Sequence, residues 1–536
     1  MATSGSQPPE CVSQWPKTWE VAVLGQVISA IEAGKSFKCL ERPPEEGEIG
    51  VAKVSAVTWG EYQESESKTC LDPSRVQNNL FIQEGDFLFS RSNTIDLVGA
   101  CVIAKAVSRN VMLSDKILRL TFTWVSPKFV LFYLRSVAGR RQIELLSTGN
   151  QQSMRNIGQE RIRAIRLPIP PLAEQRRIVA KIEELFSELD KGVESLKTAR
   201  AQLKTYRQSL LKAAFEGRLT EQWRRDNADK LETADQLLER IREEREACYQ
   251  QQLGEWRAAV AEWEVNGKSG KKPRKPRLPK KLPNISNEDI RNLPHIPYEW
   301  KYLRLGTLIH TDVGYAFKSS SFSESGVRLL RGDNIAPGRL RWDNAKYWPE
   351  KRLSGYESLL VHEGDVVLAM DRPIISSGLK LAVVRPEDSP CLLVQRVARF
   401  RKSTSVDMRF LTGALSQKRF AVHCLGNQTG TQLPHISESQ IREFIIPVCS
   451  AEEQAEIGQV LDEELSKIEH LEHLILSSIE KIEYLRQSIL KRAFEGNLVP
   501  QDPNDEPASA LLERIRQEQA DAPKIKRRTR KARTPA

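Results

Sequence analysis

Two stretches of the chain carry apolar residues every seven positions. In the first, Ile182, Leu189, Leu196, Leu203 and Leu210 fall seven apart, Ile178, Leu185, Ala199 and Tyr206 fill the second seam position, and Gly192 leaves a gap. In the second, Leu461, Ile468, Ile475, Ile482 and Ile489 repeat the spacing. A heptad sustained this long predicts a coiled coil rather than an ordinary surface helix. About 40 residues at about 1.5 Å each give a rod of about 60 Å. Two such helices in one chain are expected to pack on each other; the alternative is that each lies on its own domain.

The helices belong to a longer repeat. Tyr206–Leu219 and Leu485–Leu498 share the exit Phe-Glu-Gly-x-Leu, and Ser209 to Ser488 is a shift of 279. The same shift aligns Glu174-Gln175 with Glu453-Gln454. Gly217 and Gly496 stand where a left-handed helix end favours glycine. Upstream, Trp19–Ile28 reads as a strand with a turn and is matched by Trp300–Ile309. Glu84-Gly85-Asp86 before Phe87–Ser90 matches Glu363-Gly364-Asp365 before Val366–Ala369, a turn feeding a buried strand. Gly99 aligns with Gly378, Gly149-Asn150-Gln151 with Gly426-Asn427-Gln428, and Leu167-Pro168 with Ile446-Pro447. Pro127–Leu146 and Met408–Leu425 read as helical. The class is α+β: two similar strand-rich domains and two long helices forming a coiled coil, with internal pseudo-twofold symmetry.

The expected boundaries follow. Residues 1–14 form a disordered N-terminus, 15–172 the first domain, 173–219 the first long helix and 220–264 a helical extension. Residues 265–292 form a basic Pro-rich linker, 293–449 the second domain, 450–498 the second long helix, and 499–536 a segment ending in a basic disordered tail. Leu237–Ala247 in the extension has a partial copy at Leu511–Ala520.

Composition changes this picture little. No run of apolar residues is long enough to span a membrane and mean hydropathy is −0.45. The first ten residues lack the features of a signal peptide. Eight scattered cysteines with no Cys-x-x-Cys fit reduced thiols in a cytoplasm and argue against a zinc site. The net charge of +11 sits mainly in two segments: residues 268–281 carry +8 and 521–536 carry +6, which leaves −3 elsewhere. Inside the domains, residues 97–166 hold twelve Lys/Arg against three acids, and 396–419 hold seven against one. Such clusters suit phosphate contact, though solvated faces also produce them.

Catalytic signatures are missing. Gly34-Lys35-Ser36 lacks the leading glycine of a phosphate loop. There is no Gly-x-Gly-x-x-Gly, no Asn/Asp-Pro-Pro-Tyr/Phe and no metal spacing among the seven histidines. Asp86 and Asp365 read as turn caps. What remains is loop-borne polar surface of the types that read base edges. The candidates are Arg91, Asn93, Asn150, Gln151, Gln152 and Arg155 in one half, and Arg372, Asn427, Gln428, Thr429 and Gln432 in the other. The residues alone leave three classes open: a DNA reader, an enzyme with cryptic motifs, and a two-headed protein adaptor.

The chain resembles the specificity subunit of Type I restriction–modification systems. The resemblance rests on the entries Pro170–Gln175 and Pro447 to Glu453-Gln454, on the two Phe-Glu-Gly-x-Leu exits, on the Gly-Asp strands, and on Met370–Gly378. Copy two departs at the hinge, with Pro447-Val448-Cys449-Ser450-Ala451 in place of Pro-Pro-Leu. The resemblance implies two target-recognition domains, each reading one half of a bipartite asymmetric site in double-stranded DNA, with the helices fixing the spacing. It implies two methylation subunits docked on this chain and two restriction subunits in the full complex. Adenine-specific methyltransferase and ATP-dependent endonuclease activity, with S-adenosylmethionine, ATP and Mg, would reside on those partners. This chain would be non-catalytic and cytoplasmic, without cofactor or membrane.

Overall fold

The computed structural model describes residues 15–151, 154–268, 272–273, 275–276, 282–375, 378–426 and 435–521. The expected disordered N-terminus and basic tail lie outside these. The chain divides into two compact units, Met1–Lys197 with Leu476–Ala536, and Thr198–Ile475. Among the described residues no helix is long and apolar enough to cross a membrane.

In the first unit, Glu20–Val23 pairs antiparallel with Arg166–Ile169 and joins the start of the domain to its end. A short helical turn, Leu24–Val27, leads into the central antiparallel sheet. Its order is Ile28–Ala33, Ile117–Phe122, Phe87–Ser90, Cys101–Ile103. Phe87–Ser90 is buried throughout, as a continuous apolar run after Gly-Asp predicts. A second sheet holds Cys39–Leu40, Ser67–Cys70, Gly50–Ala52 and Val111–Met112, the last pair parallel. The stretch expected as one helix over Pro127–Leu146 is two, Pro127–Arg135 and Val137–Leu146. Ser136 ends the first and caps the second by accepting from the Gly139 amide.

The second unit repeats this plan. Lys301–Arg304 pairs with Ile445–Val448, and the central sheet runs Thr311–Val313, Val397–Phe400, Val366–Ala369, Leu381–Val383. Its second sheet contains the parallel pair Val327–Leu330 and Cys391–Leu393. Met408–Leu415 and Lys418–Leu425 again break an expected single helix. One alignment needs correction. Ser90 donates to the Ala100 carbonyl and Ala369 to that of Lys380, so Lys380 and not Leu379 is the counterpart of Ala100. Unit two therefore has one residue more than unit one between these strands, and Gly99 corresponds in position to Leu379 rather than Gly378.

Each central sheet is centred on an arginine. Arg119 pairs with Glu32 and Asp86, both at 2.8 Å. Arg399, only 1% exposed, pairs with Asp312 at 2.5 Å and lies 3.9 Å from Asp365. The two Gly-Asp aspartates also cap their own turns: Asp86 accepts from the Gln83 amide and Asp365 from that of His362.

The long helices are Leu172–Phe215 and Ala451–Phe494, 44 residues each. Each passes through both units, and each unit contains an antiparallel pair of helical segments. In unit one Ile182 shares a core with Leu490 and Ala493, while Gly192 faces Ile482. In unit two Phe215 and Leu461 meet over Gly413, and Arg207 reaches Glu469. Ile182, Leu210, Leu461, Ile468 and Ile475 are buried; Leu189, Leu196, Leu203, Ile482 and Ile489 are half-buried, because two helices cannot enclose a seam unaided. Tyr206 departs from the expected seam: it is exposed and its hydroxyl meets Glu464 at 3.3 Å.

The repeated Glu-Gln pairs fasten helix to domain. Glu174 accepts from the Trp19 indole at 3.0 Å and from Gln501 at 2.6 Å. Glu453 accepts from Trp300 at 2.9 Å, Thr220 at 2.7 Å and Arg224 at 2.6 Å. Gln175 and Gln454 each accept from a backbone amide at a domain helix start, Ser126 and Asp407. Burial pushes the Glu174 carboxyl above its ordinary value. The segment following each helix then packs into the unit it has reached. Leu237 and Ile241, on the helix Ala234–Val265, enter the core of unit two. Ala508, Leu511, Leu512 and Ile515, on Ala508–Asp521, enter that of unit one. The described part of the basic linker folds back on Ala234–Val265: Trp256 donates to the Pro273 carbonyl, and Lys275 and Lys272 lie over Trp256 and Trp263.

Candidate nucleic-acid interface

In each unit a backbone clasp brings three distant segments together. Arg91, just after the Gly-Asp strand, donates to the Lys116 carbonyl and accepts from the Ile157 amide, both at 2.9 Å. Met370 donates to the Arg396 carbonyl at 2.9 Å and accepts from Ile436 at 2.8 Å. The strand end, the residue preceding the central strand, and the last loop of the domain are thus joined by the same bonds in both units.

Around this clasp the side chains differ. In unit one Ser92–Asn93 pairs with Met154–Asn156, which pairs with Thr148–Gln151, giving a three-stranded ribbon. The two places singled out in the sequence are therefore neighbours: Arg155 stands opposite Asn93. Met154, on the ribbon's middle strand, is 71% exposed. Arg91 Nε approaches the Asn156 side chain at 3.4 Å, and the Asn93 side chain accepts from the Thr94 amide. Arg155 is engaged within the domain, its guanidinium donating to the Ser147 and Gly149 carbonyls at 2.9 Å. Asn150 and Gln151 lie on a ribbon strand, and Gln152 lies outside the described residues.

In unit two the clasp carries a charged cluster. Asp371 bridges His435 through the backbone. The His435 ring donates from Nδ1 to Asp371 at 2.8 Å and accepts at Nε2 from Arg396 at 2.7 Å. Arg372 and Arg396 both have left-handed backbones, φ 44° and 71°. That conformation costs a non-glycine residue about 1–2 kcal/mol, and such strain collects at binding sites. A hairpin of Ile374–Ile375 with Gly378–Leu379 projects beside it, and both isoleucines are exposed. Asn427, Gln428, Thr429 and Gln432 lie outside the described residues.

Much of the basic character serves the fold instead. Arg135 clamps the Cys101 and Gly60 carbonyls, and Arg140 holds the Ile95 carbonyl while stacking on Trp59. Arg119 and Arg399 are the buried sheet centres described above.

Sequence reasoning placed Asp371 beside Arg372 after the Gly-Asp strand, but did not find Arg396, His435 or Lys380 as site residues. It also passed over a match at a shift of 280: Gly34-Lys35-Ser36-Phe37-Lys38 against Gly314-Tyr315-Ala316-Phe317-Lys318. Gly34 and Gly314 lie so close to the Leu113 and Val394 carbonyls that an added Cβ would stand 1.7 and 2.2 Å from them. The stretch that failed as a phosphate loop is thus a repeated backbone crossing, and it presents Lys35 in one unit and Tyr315 in the other.

Residues 16–198 and 297–481 match the family described as Type I restriction modification DNA specificity domain. The chain belongs to that family. It is similar to the Type I restriction enzyme EcoAI specificity subunit of Escherichia coli, with 30% identity over 62% of this chain and 59% of that protein. It is also similar to the MjaVIII specificity subunit of Methanocaldococcus jannaschii, with 32% identity over 38% of this chain and 47% of that one. The matched stretches span about half to three-fifths of these relatives' lengths. A solved chain from work on complex assembly and conformational transition of the type I R-M system shares the fold. It has a TM-score of 0.58 and 16% identity over 90% of this chain and 99% of that chain. Each of the two matched stretches runs past the middle of its long helix, to residues 198 and 481, and carries one clasp.

Proposed function

We propose that this chain is the DNA-binding specificity subunit of a Type I restriction–modification complex and is itself non-catalytic. Each domain reads one half of a bipartite, asymmetric site in double-stranded DNA, through the surface around its clasp. The observation that carries this reading is the clasp itself: one backbone geometry, repeated, with unlike side chains around it. A common scaffold with different polar groups is what two readers of two different half-sites require. The long helices set the gap between half-sites, and a gap near one turn of B-DNA is about 34 Å.

The helices also dock two methylation subunits, and two restriction subunits complete the assembly. Leu471, Leu474, Tyr484 and Leu485 stand exposed along the second helix and suit such docking. S-adenosylmethionine, ATP and Mg belong to those partners, and the complex works in the cytoplasm.

The test is methylation mapping in cells that carry the partner methylation subunit, with and without this chain. A split motif methylated on adenine only when the chain is present is expected. Identical patterns in the two strains overturn the reading. Exchanging residues 15–167 for a relative's should change one half of the motif and leave the other intact.

A further inference from the structure

Lys380 is a lysine with a buried stem and, among the described residues, no partner for its ammonium. It lies between the strands Gly378–Leu379 and Leu381–Val383, donating its amide to the Pro373 carbonyl at 2.7 Å and accepting from Ala369 at 3.0 Å. The residue is only 8% exposed. Among the described residues its ammonium has neither a hydrogen bond nor an ion pair within 4.0 Å; Asp333 and Asp371 act on it only from farther off. Desolvation accordingly lowers its pKa from the ordinary lysine value. Charged groups in this position are normally paired, because a desolvated and unpaired ammonium is costly.

Its surroundings are those of the site. It sits at the base of the loop that carries Asp371 and the left-handed Arg372. A side chain at Gly332 would begin 4.0 Å from the Lys380 ammonium and 4.0 Å from the Arg396 carbonyl, so the glycine leaves that space open. The matched position in unit one is Ala100, fully buried and apolar. Unit two thus has an ammonium where unit one has a methyl group, beside the one clasp that carries Arg396 and His435.

We propose that Lys380 is a specificity-determining residue, whose ammonium donates to the acceptor edge of a guanine in the half-site read by unit two. The proposal rests on the recognition reading above and deepens it. Phosphates are served well by flexible exposed lysines. A stem packed into the fold between two strands, with its charge partly desolvated, matches an acceptor at a set position, and guanine O6 and N7 supply two.

The assembled methylation complex is assayed on duplexes carrying the cognate site and every single base-pair change in each half-site, at two salt concentrations. Lys380→Met keeps the stem and removes the charge, and Lys380→Ala installs the residue of unit one. Both variants should lose discrimination at one G·C pair of the second half-site, by roughly 10- to 100-fold. The first half-site and the salt slope should be unchanged, and Lys380→Met should melt no lower than the unaltered chain. Three results overturn the proposal: discrimination unchanged at every position; affinity lowered uniformly with the salt slope falling by about one, which marks a phosphate contact; or a lower melting temperature for Lys380→Met, which marks a structural lysine. If the unaltered complex itself shows no site preference, the recognition reading fails, and that outcome is distinct from any effect of the variants.

Discussion

At the residue scale, the buried arginine of each sheet makes the sharpest demand. Burial by itself would raise the Asp312 carboxyl, but the hydrogen bond with His310 and the charges of Arg399 and Arg401 outweigh it and hold the group far below the usual carboxylate range. A group held down in this way stabilises the fold fully above its ordinary value of 3.8, and the contribution drains away as pH falls toward the folded value. Asp312→Asn should therefore lower the stability of unit two by about 3 kcal/mol at neutral pH, since it leaves the buried Arg399 with only the more distant Asp365 as counter-charge. The deficit should begin to shrink only once pH falls below 3.8 and should go on shrinking toward the folded value, where unaltered Asp312 loses its advantage. Urea titrations at several pH values check this, and a deficit that stays constant with pH would count against the pairing. None of this was legible in the sequence. Arg119 and Arg399 looked like members of basic clusters suited to phosphate, because composition counts charges without showing which of them face an acid across a sheet. Asp86 and Asp365 were readable as turn caps because that role is local; their second role, toward an arginine more than thirty residues away, is not.

At the element scale, the helix ends are where sequence and structure agree most closely. Gly217 and Gly496 have φ of 73° and 77°, as helix exits require. The structure adds a second reason for glycine: an added Cβ would lie 2.3 Å from Pro297 Cγ or 2.5 Å from Pro16 Cγ. Gly47 has a similar φ, 81°, with nothing within 4 Å of such an atom. Gly47→Ala should then cost about 1 kcal/mol of backbone strain, and Gly496→Ala distinctly more, with thermal melting separating the two. Equal costs would show that the proline contact carries no weight. The ribbon of unit one depends in the same way on Arg155, whose fork holds the end of the helix Val137–Leu146 against its own strand. Arg155→Ala should cost about 1–2 kcal/mol and weaken reading of the first half-site. Arg155→Lys should restore little, since an ammonium cannot reproduce the fork. Unchanged recognition with Arg155→Ala would remove the ribbon from the site. Heptads, Gly-Asp turns and glycine exits were legible because each is set by residues a few positions apart. The clasp was not, since it joins Arg91, Lys116 and Ile157 only once the sheet has formed.

At the scale of the whole molecule, the repeat is more than a duplication of domains. Each unit is built from one domain, pieces of both long helices, and the segment that follows the helix arriving from the other half of the chain. Leu237 and Ile241 complete one core, and Leu511, Leu512 and Ile515 the other. Neither domain can be cut out at its sequence boundary without opening its core, so the helix lengths are tied to the fold as well as, in the function proposed above, to the spacing of half-sites. Seven residues added to the first long helix alone would keep its heptad phase and leave the second helix too short to match. The expected outcome is a loss of cooperative unfolding or an altered preference for the gap. Seven residues added to both helices, between the segments that enter the two cores, would keep every seam pair and lengthen the rod by about 10 Å. At about 3.4 Å per base pair, the preferred gap should then widen by about three base pairs, with both half-site sequences unchanged. Methylation mapping of the doubly lengthened chain reads both quantities at once. A motif with the original gap would mean that something other than the helices sets the spacing. A motif with altered half-sites would mean that the helices take part in reading bases.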